Sequence, residues 1–101
     1  TARRGNKMIE CYMINYRHEA CNESNIFYIP TNVDNPMVQE LFKIALDSRK
    51  DSFAKVASVM IDDVFENYED REQIYDFLCM NSLQLPAVPV IVVDELDFWT
   101  E

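Results

Sequence analysis

Few side chains in this sequence have the types and spacing that metal or nucleophilic chemistry needs. The three cysteines stand at unrelated positions, Cys11, Cys21 and Cys79, and His18 is the one histidine. A structural zinc site takes four ligands, of which His18, Glu19 and Cys21 supply only a fragment. We therefore predict no metal site, no cofactor and no catalytic residue. The cysteines are interpreted as buried thiols, because free cysteine is among the most buried residue types.

The cysteine count and the chain start also predict a compartment. An odd number of cysteines does not form a disulfide framework, and no apolar signal-peptide core follows the basic residues 1–7. The longest apolar run, residues 85–93, has about half of the roughly 20 residues that a membrane span needs. We predict a cytoplasmic protein, with residues 1–7 as an N-terminal tail or processed end. A thiol-dependent oxidoreductase or sensor that uses one of the cysteines is an alternative.

The strongest chemical signal is an excess of carboxylates in the second half of the chain. The net charge is −9; residues 1–50 hold six acids and seven bases, whereas residues 51–101 hold twelve acids and two bases. A field of this sign repels nucleic acid and anionic membranes and speeds encounter with basic proteins. We therefore predict a protein partner with a basic surface, and no direct contact with nucleic acid or membrane.

The densest part of this excess is the acidic run, residues 62–76. Its carboxylates are Asp62, Asp63, Glu66, Glu69, Asp70, Glu72 and Asp76. The run lacks the glycine and the alternating oxygen ligands of a calcium loop. It is interpreted as a docking surface for the basic partner. Two alternatives are a solvated helix start, and an inhibitor that mimics nucleic-acid phosphates and occupies a basic site on its target.

The apolar pattern predicts one α/β domain over residues 8–101. The clearest element is a helix over residues 36–49, because Asn35 can cap it and Pro36 suits its first position. A second helix is expected with its cap within residues 66–70, where Asp70 stands at capping-box spacing from Gln73, and with its end near Ser82. Residues 90–93 form a continuous apolar run, which predicts a strand buried on both faces. The other predicted strands cover residues 8–16, 26–29, 54–61 and 96–100.

The order strand, helix, strand, helix, followed by Val88-Pro89-Val90-Ile91-Val92-Val93-Asp94, resembles the core of the thioredoxin and glutaredoxin superfamily. The resemblance covers residues 26–98. It implies a thioredoxin-like mixed sheet with helices packed on it, ending in a strand hairpin. It also implies a cis bond between Val88 and Pro89, beside the position of that family's active site.

The redox residues of that family do not carry over. The family has Cys-x-x-Cys at the start of the first helix, where this chain has Thr31-Asn32-Val33-Asp34-Asn35. Without a thiol at the helix N-terminus, no attacking thiolate forms there. We predict a redox-inactive, non-catalytic module that binds a protein through this loop, the Pro89 edge, the acidic run and an exposed Trp99. The predicted binding residues are Thr31, Asn32, Asp34, Asp62, Asp63, Glu66, Glu69, Asp70, Pro89 and Trp99.

Overall fold

The computed structural model describes residues 8–101, and the predicted tail of residues 1–7 lies outside them. This part of the chain is a mixed α/β fold with one four-stranded sheet and three helices. The elements in chain order are β1 Ile9–His18, β2 Glu23–Pro30, α1 Pro36–Lys50, β3 Ala57–Met60, α2 Ile61–Val64, α3 Tyr68–Asn81 and β4 Val90–Thr100. One hydrophobic core joins side chains from all three helices to alternate residues of the strands, so the helices cover one face of the sheet.

The sheet has the order β2-β1-β4-β3. β1 and β2 form an antiparallel hairpin, whose turn holds Asn22 at a φ of 57°, a left-handed value that asparagine tolerates. β4 lies between β1 and β3 and runs parallel to both. The carboxyl ends of three strands therefore meet at one edge of the sheet, beside the start of β2.

Helix α1 forms as its sequence predicts. The Asn35 side chain accepts hydrogen bonds from the backbone N–H groups of Met37 at 3.0 Å and Val38 at 3.2 Å. These bonds satisfy donors that have no partner within the helix. Its apolar face is buried at Val38, Leu41, Phe42 and Ala45. The predicted helix over residues 36–49 is confirmed, with one residue added at its end.

The prediction for the last two strands is wrong. Residues 90–100 form the single strand β4 instead of a hairpin, and its first part is not buried: Ile91 is 46%, Val92 42% and Val93 43% exposed. The reason is that β3 pairs with β4 only from Leu96 to Trp99. Residues 90–93 thus extend past β3: Val90, Ile91 and Val92 pair only with β1, and Val93 is left without a strand partner where the register shifts.

The predicted cis bond at Val88–Pro89 is also wrong. The cis bond is Leu85–Pro86, in the turn that follows α3. Pro89 instead continues the chain into β4, where its carbonyl accepts a hydrogen bond from the backbone N–H of Ile9 at 3.1 Å. The cis bond and the final hairpin that the thioredoxin resemblance implies are therefore both missing from residues 8–101.

One further strand boundary differs from the sequence prediction. The predicted strand over residues 54–61 is shortened to β3, because Ile61 already begins α2. Helix α3 begins at Tyr68, and its cap lies within the predicted range of residues 66–70. The cap is Asn67, which accepts from the Glu69 N–H at 2.9 Å, and not the capping box at Asp70. None of the helices found between residues 8 and 101 combines the length and apolar character that crossing a membrane requires.

Candidate functional site

A pocket of about 290 Å³ lies at the edge of the sheet where the parallel strands end. The strands contribute Tyr16 and His18 from the end of β1 and Thr100 from the end of β4. The start of β2 adds Glu23 and Asn25. Open α/β sheets bind their ligands outside the carboxyl ends of the strands, so this edge is the place where the fold favours a site.

Helix α3 provides the opposite wall through four residues on one face. Tyr68, Arg71, Glu72 and Tyr75 line the pocket, at the spacing i, i+3, i+4 and i+7 that places side chains on the same side of a helix. The start of α3 at Tyr68 puts that ring in the first turn, beside the strand ends. This polar and aromatic stripe is the sequence signal that could have located the site.

Asp62 is the structural centre of the pocket. It accepts a hydrogen bond from the Thr100 hydroxyl at 2.6 Å and another from the Glu101 backbone N–H at 3.1 Å. The guanidinium of Arg71 lies 3.2 Å from the same carboxylate. The hydrogen bond from Thr100, assisted by the other two contacts, lowers the pKa of Asp62. Asp62 therefore ties the end of β4 to α2 and α3 as a carboxylate.

Arg71 is held in place by partners of its own chain. Its Nη1 donates to the backbone carbonyls of Phe65 at 2.8 Å and Glu66 at 2.9 Å. Its guanidinium also lies 5.8 Å from the centre of the Tyr68 ring, a cation–π distance. Its contacts fix the loop between α2 and α3 and offset the charge of Asp62.

Three tyrosines line the pocket as neutral phenols. Tyr16 is buried, and its ring meets that of Tyr75 edge to face at 5.1 Å. Burial, together with the nearby charge of Asp62, raises the pKa of Tyr16 to about 12. Burial also raises the pKa of Tyr75, and the hydrogen bond from the Tyr68 hydroxyl to Glu72 raises the pKa of Tyr68. The rings therefore stay uncharged at neutral pH.

His18 forms a polar part of the wall that lacks a partner. Its Nδ1 is buried and makes no hydrogen bond to any residue from 8 to 101. Leaving a buried polar atom unsatisfied costs about 1–3 kcal/mol. His18 is thus the residue of this pocket whose hydrogen bonding the described chain leaves incomplete.

The structure divides the predicted binding residues between two ends of the molecule. Asp62 lines the pocket, and its neighbours in the acidic run lie beside it, exposed or half-exposed: Asp63, Glu66, Glu69 and Asp70. The predicted loop residues lie at the other end of β1: Thr31, Asn32 and Asp34. There the Thr31 N–H donates to the Glu10 carbonyl at 3.1 Å, close to Pro89. A ten-residue strand, about 30 Å long, separates the two groups.

Trp99 is half-buried on the sheet face opposite the helices, instead of projecting freely as predicted. Its indole N–H donates to the Ser58 hydroxyl at 3.2 Å, and the Arg17 guanidinium lies 6.0 Å from its ring. Arg17 is itself held by two hydrogen bonds to Asp97, at 2.9 and 2.7 Å. Its neighbour Phe98 is fully buried. Trp99 is therefore fixed within the sheet and does not reach the acidic pocket.

A second pocket, of about 580 Å³, lies at the far end, near Thr31. Its charged lining residues are Lys43, Asp47, Arg49, Lys50 and Asp94. Arg49 hydrogen-bonds Asp94, which lowers the pKa of that carboxyl. The lining holds three bases and two acids, so this pocket lacks the excess of carboxylates that the first pocket has.

The cysteines do not form a shared site. Cys11 is buried, as predicted, and burial raises the pKa of its thiol, which leaves less of the reactive thiolate. The prediction is wrong for Cys21 and Cys79, which are exposed: Cys21 lies in the hairpin turn, and Cys79 lies near the end of α3, beside Tyr75. Over residues 8–101, no group of three or more His, Cys, Asp or Glu side chains is placed to hold a metal ion.

The fold and the site define a mixed α/β protein with an acidic, tyrosine-lined pocket at the carboxyl edge of its sheet. Comparison of the chain with protein-family models, curated proteins and solved structures gives no match. The thioredoxin-like relationship stays a prediction.

Proposed function

We propose that this chain is a non-catalytic, acidic protein-binding module whose partner presents a basic surface. The observation that carries the proposal is the gathering of carboxylates at one end of the fold. Four of them line the pocket, Glu23, Asp62, Glu72 and Glu101, against the single guanidinium of Arg71. Further carboxylates of the acidic run stand exposed beside it.

Concentrated charge has a physical consequence that dispersed charge lacks. Complementary fields steer two proteins together and raise association rates by roughly 10- to 1,000-fold, an effect that weakens as salt rises. The acidic end, defined as the pocket together with Asp63, Glu66, Glu69 and Asp70, would provide that field. The loop near Thr31 lies too far away to join the same small interface, so we now restrict the docking surface to the acidic end.

The chemistry of the pocket supports binding more than catalysis. Asp62 and Arg71 are engaged with each other and with the backbone, and the tyrosines hold their protons at neutral pH. The free thiols are typical of a reducing compartment, so we place the module in the cytoplasm. The proposal does not depend on a thioredoxin-like origin.

The test compares two variants that lose the same number of charges. The first replaces Asp63, Glu66, Glu69 and Asp70 with Asn or Gln. The matched control does the same at four exposed carboxylates elsewhere: Glu10, Glu40, Asp51 and Glu95. Association of each protein with a labelled eight-residue peptide of alternating arginine and alanine is followed by stopped-flow fluorescence at low and physiological salt.

We expect the first variant to associate roughly tenfold more slowly than wild type at low salt, within the range for electrostatic steering. The control should slow much less, and the difference should shrink as salt rises. Equal slowing of the two variants would mean that net charge alone matters, and the docking proposal would fail. Circular dichroism of both variants checks that the fold is intact.

A further inference from the structure

We propose that the pocket at the carboxyl edge of the sheet receives one arginine side chain of the basic partner. The inference rests on the proposed function, which it deepens: the acidic end speeds the encounter, and the pocket selects what is bound. The occupant is identified by three properties of the pocket: its size, its free acceptors and its aromatic wall.

The size suits one long side chain. At about 290 Å³, the pocket lies just below the range of roughly 300–1,000 Å³ typical of small-molecule sites. It is also open to the surface on the side of Glu23 and Tyr68, both of which are exposed. A side chain that projects from a partner's surface can therefore enter it without any rearrangement of the strands.

The carboxylates of the pocket leave acceptors for a cation. Asp62 is occupied by Thr100, Glu101 and Arg71, but Glu72 accepts only the Tyr68 hydroxyl within the described chain. Glu23 and Glu101 are exposed at the rim, and no side-chain hydrogen bond or ion pair engages their carboxylates within residues 8–101. Arg71 donates to backbone carbonyls and to Asp62, so it does not fill these acceptor positions.

The aromatic wall favours a flat cation. Tyr75 is half-buried and Tyr68 is exposed, so both keep part of a neutral ring open beside the carboxylates. A guanidinium both stacks on such rings and forms paired hydrogen bonds with carboxylates. An ammonium group forms neither the stack nor the paired bonds as well. The combination therefore favours arginine over lysine.

The test uses blocked amino acids as probes, because they carry the side chain without the rest of a partner. N-acetyl-arginine methylamide, its lysine counterpart and its citrulline counterpart are titrated into ¹⁵N-labelled protein and followed by NMR. Citrulline matches arginine in shape but has no charge. We expect the arginine probe to shift backbone amides of pocket residues and the His18 ring signals, the lysine probe to bind more weakly, and the citrulline probe to cause no saturable shift.

Two variants, each of which removes one helix carboxylate, then locate the site. Glu72→Gln should weaken the arginine probe by roughly two- to fivefold, the range for a partly exposed ion pair. Glu40→Gln removes an exposed carboxylate of α1 that lines neither pocket, and should leave binding unchanged. Equal weakening by both variants, equal binding of the lysine probe, or shifts confined to residues outside the pocket would overturn the inference.

The outcome also separates this inference from the proposed function. If the arginine probe does not bind while the basic peptide still depends on the acidic end for its association rate, the pocket inference fails and the docking surface stands. If neither probe nor peptide responds to the acidic end, both proposals fail.

Discussion

Asp62 and Asp63 are adjacent acids in one run, yet their surroundings give them different roles. Asp62 accepts hydrogen bonds from Thr100 and Glu101 and lies beside Arg71, whereas Asp63 is exposed and forms no side-chain hydrogen bond or ion pair with residues 8–101. In the amino-acid composition, the two residues contribute the same type and the same charge. Their roles separate only because the end of β4 lies beside the start of α2.

We predict that Asp62→Asn destabilises the fold, because the substitution removes the charge that Thr100 and Arg71 contact. Hydrogen bonds to a charged group contribute about 1.5–3 kcal/mol each at most, so a loss of about 2 kcal/mol in the free energy of unfolding is expected at pH 7. Urea denaturation of wild type and variant measures this loss. Asp63→Asn is the control, with an expected change within about 0.5 kcal/mol.

The stabilisation by Asp62 should also depend on pH. Since its pKa is lowered in the folded state, the stabilisation is complete above the unfolded value of about 3.9 and is lost as pH falls through the lower folded pKa. The difference between wild type and Asp62→Asn should therefore shrink below about pH 4. A difference that stayed constant down to pH 2 would show that the charge of Asp62 does not stabilise the fold.

At the scale of elements, local signals were sufficient where a helix begins and where its apolar face lies. Asn35 and Pro36 specify the start of α1 through backbone bonding that involves only neighbouring residues. The hairpin strands and the end of α3 were likewise close to their predicted positions. These features depend on interactions over a few residues, which the sequence displays directly.

Features set by long-range pairing were not predictable in the same way. Residues 90–93 have the composition of a buried strand, but their exposure depends on how far β3 extends along β4. The pocket depends on β1 pairing with β4, which brings His18 beside Thr100. Only the stripe of Tyr68, Arg71 and Tyr75 on α3 was visible in the sequence. The sequence did not indicate which strands this stripe faces.

The exposure of the first part of β4 leads to a prediction that compares the stability effects of two valine substitutions. Val59 is 7% exposed in β3, and Val92 is 42% exposed in β4. Val59→Ala should cost about 2 kcal/mol, from two buried methyl groups at roughly 0.8 kcal/mol each plus a cavity contribution. Val92→Ala should cost about 1 kcal/mol or less, the span of strand propensity. Urea denaturation of both variants measures the two losses in the free energy of unfolding. A larger loss for Val92→Ala than for Val59→Ala would contradict the exposed position of the first part of β4.

At the scale of the whole molecule, the fold gathers carboxylates from both halves of the sequence at one end of the structure. The acidic run, the end of β4 and the start of β2 meet at the carboxyl edge, where Glu23 joins the acids of the second half. At the opposite edge, the bases Lys43, Arg49 and Lys50 of α1 lie among acids such as Asp47 and Asp94. This concentration makes the acidic end a local field, which a partner meets as a surface and not as a diffuse net charge.

Crowded carboxylates should also make folding stability depend on salt. Raising the salt from about 10 mM to about 0.15 M shortens the screening length from roughly 30 Å to roughly 8 Å, which weakens repulsion among neighbouring carboxylates. The thermal midpoint of the wild-type chain should therefore rise. The rise should be smaller for a triple variant that replaces Asp63, Glu66 and Asp76 with Asn or Gln. These positions lie outside the first turn of α3, so the variant leaves the charges nearest that helix start in place.

The matched control for this prediction neutralises Glu10, Glu40 and Asp51, which are exposed and lie away from the acidic end. It loses the same charge, so an effect of net charge alone would reduce the salt response equally in both variants. Scanning calorimetry at the two salt concentrations measures the response without any partner. A smaller rise of the thermal midpoint in the triple variant of the acidic run than in the control would show that these carboxylates repel one another within the folded chain. Such repulsion is expected only where the carboxylates stand close enough to create a concentrated field. Equal responses would mean that the charge is effectively dispersed, and steering by the acidic end would then lose its physical basis.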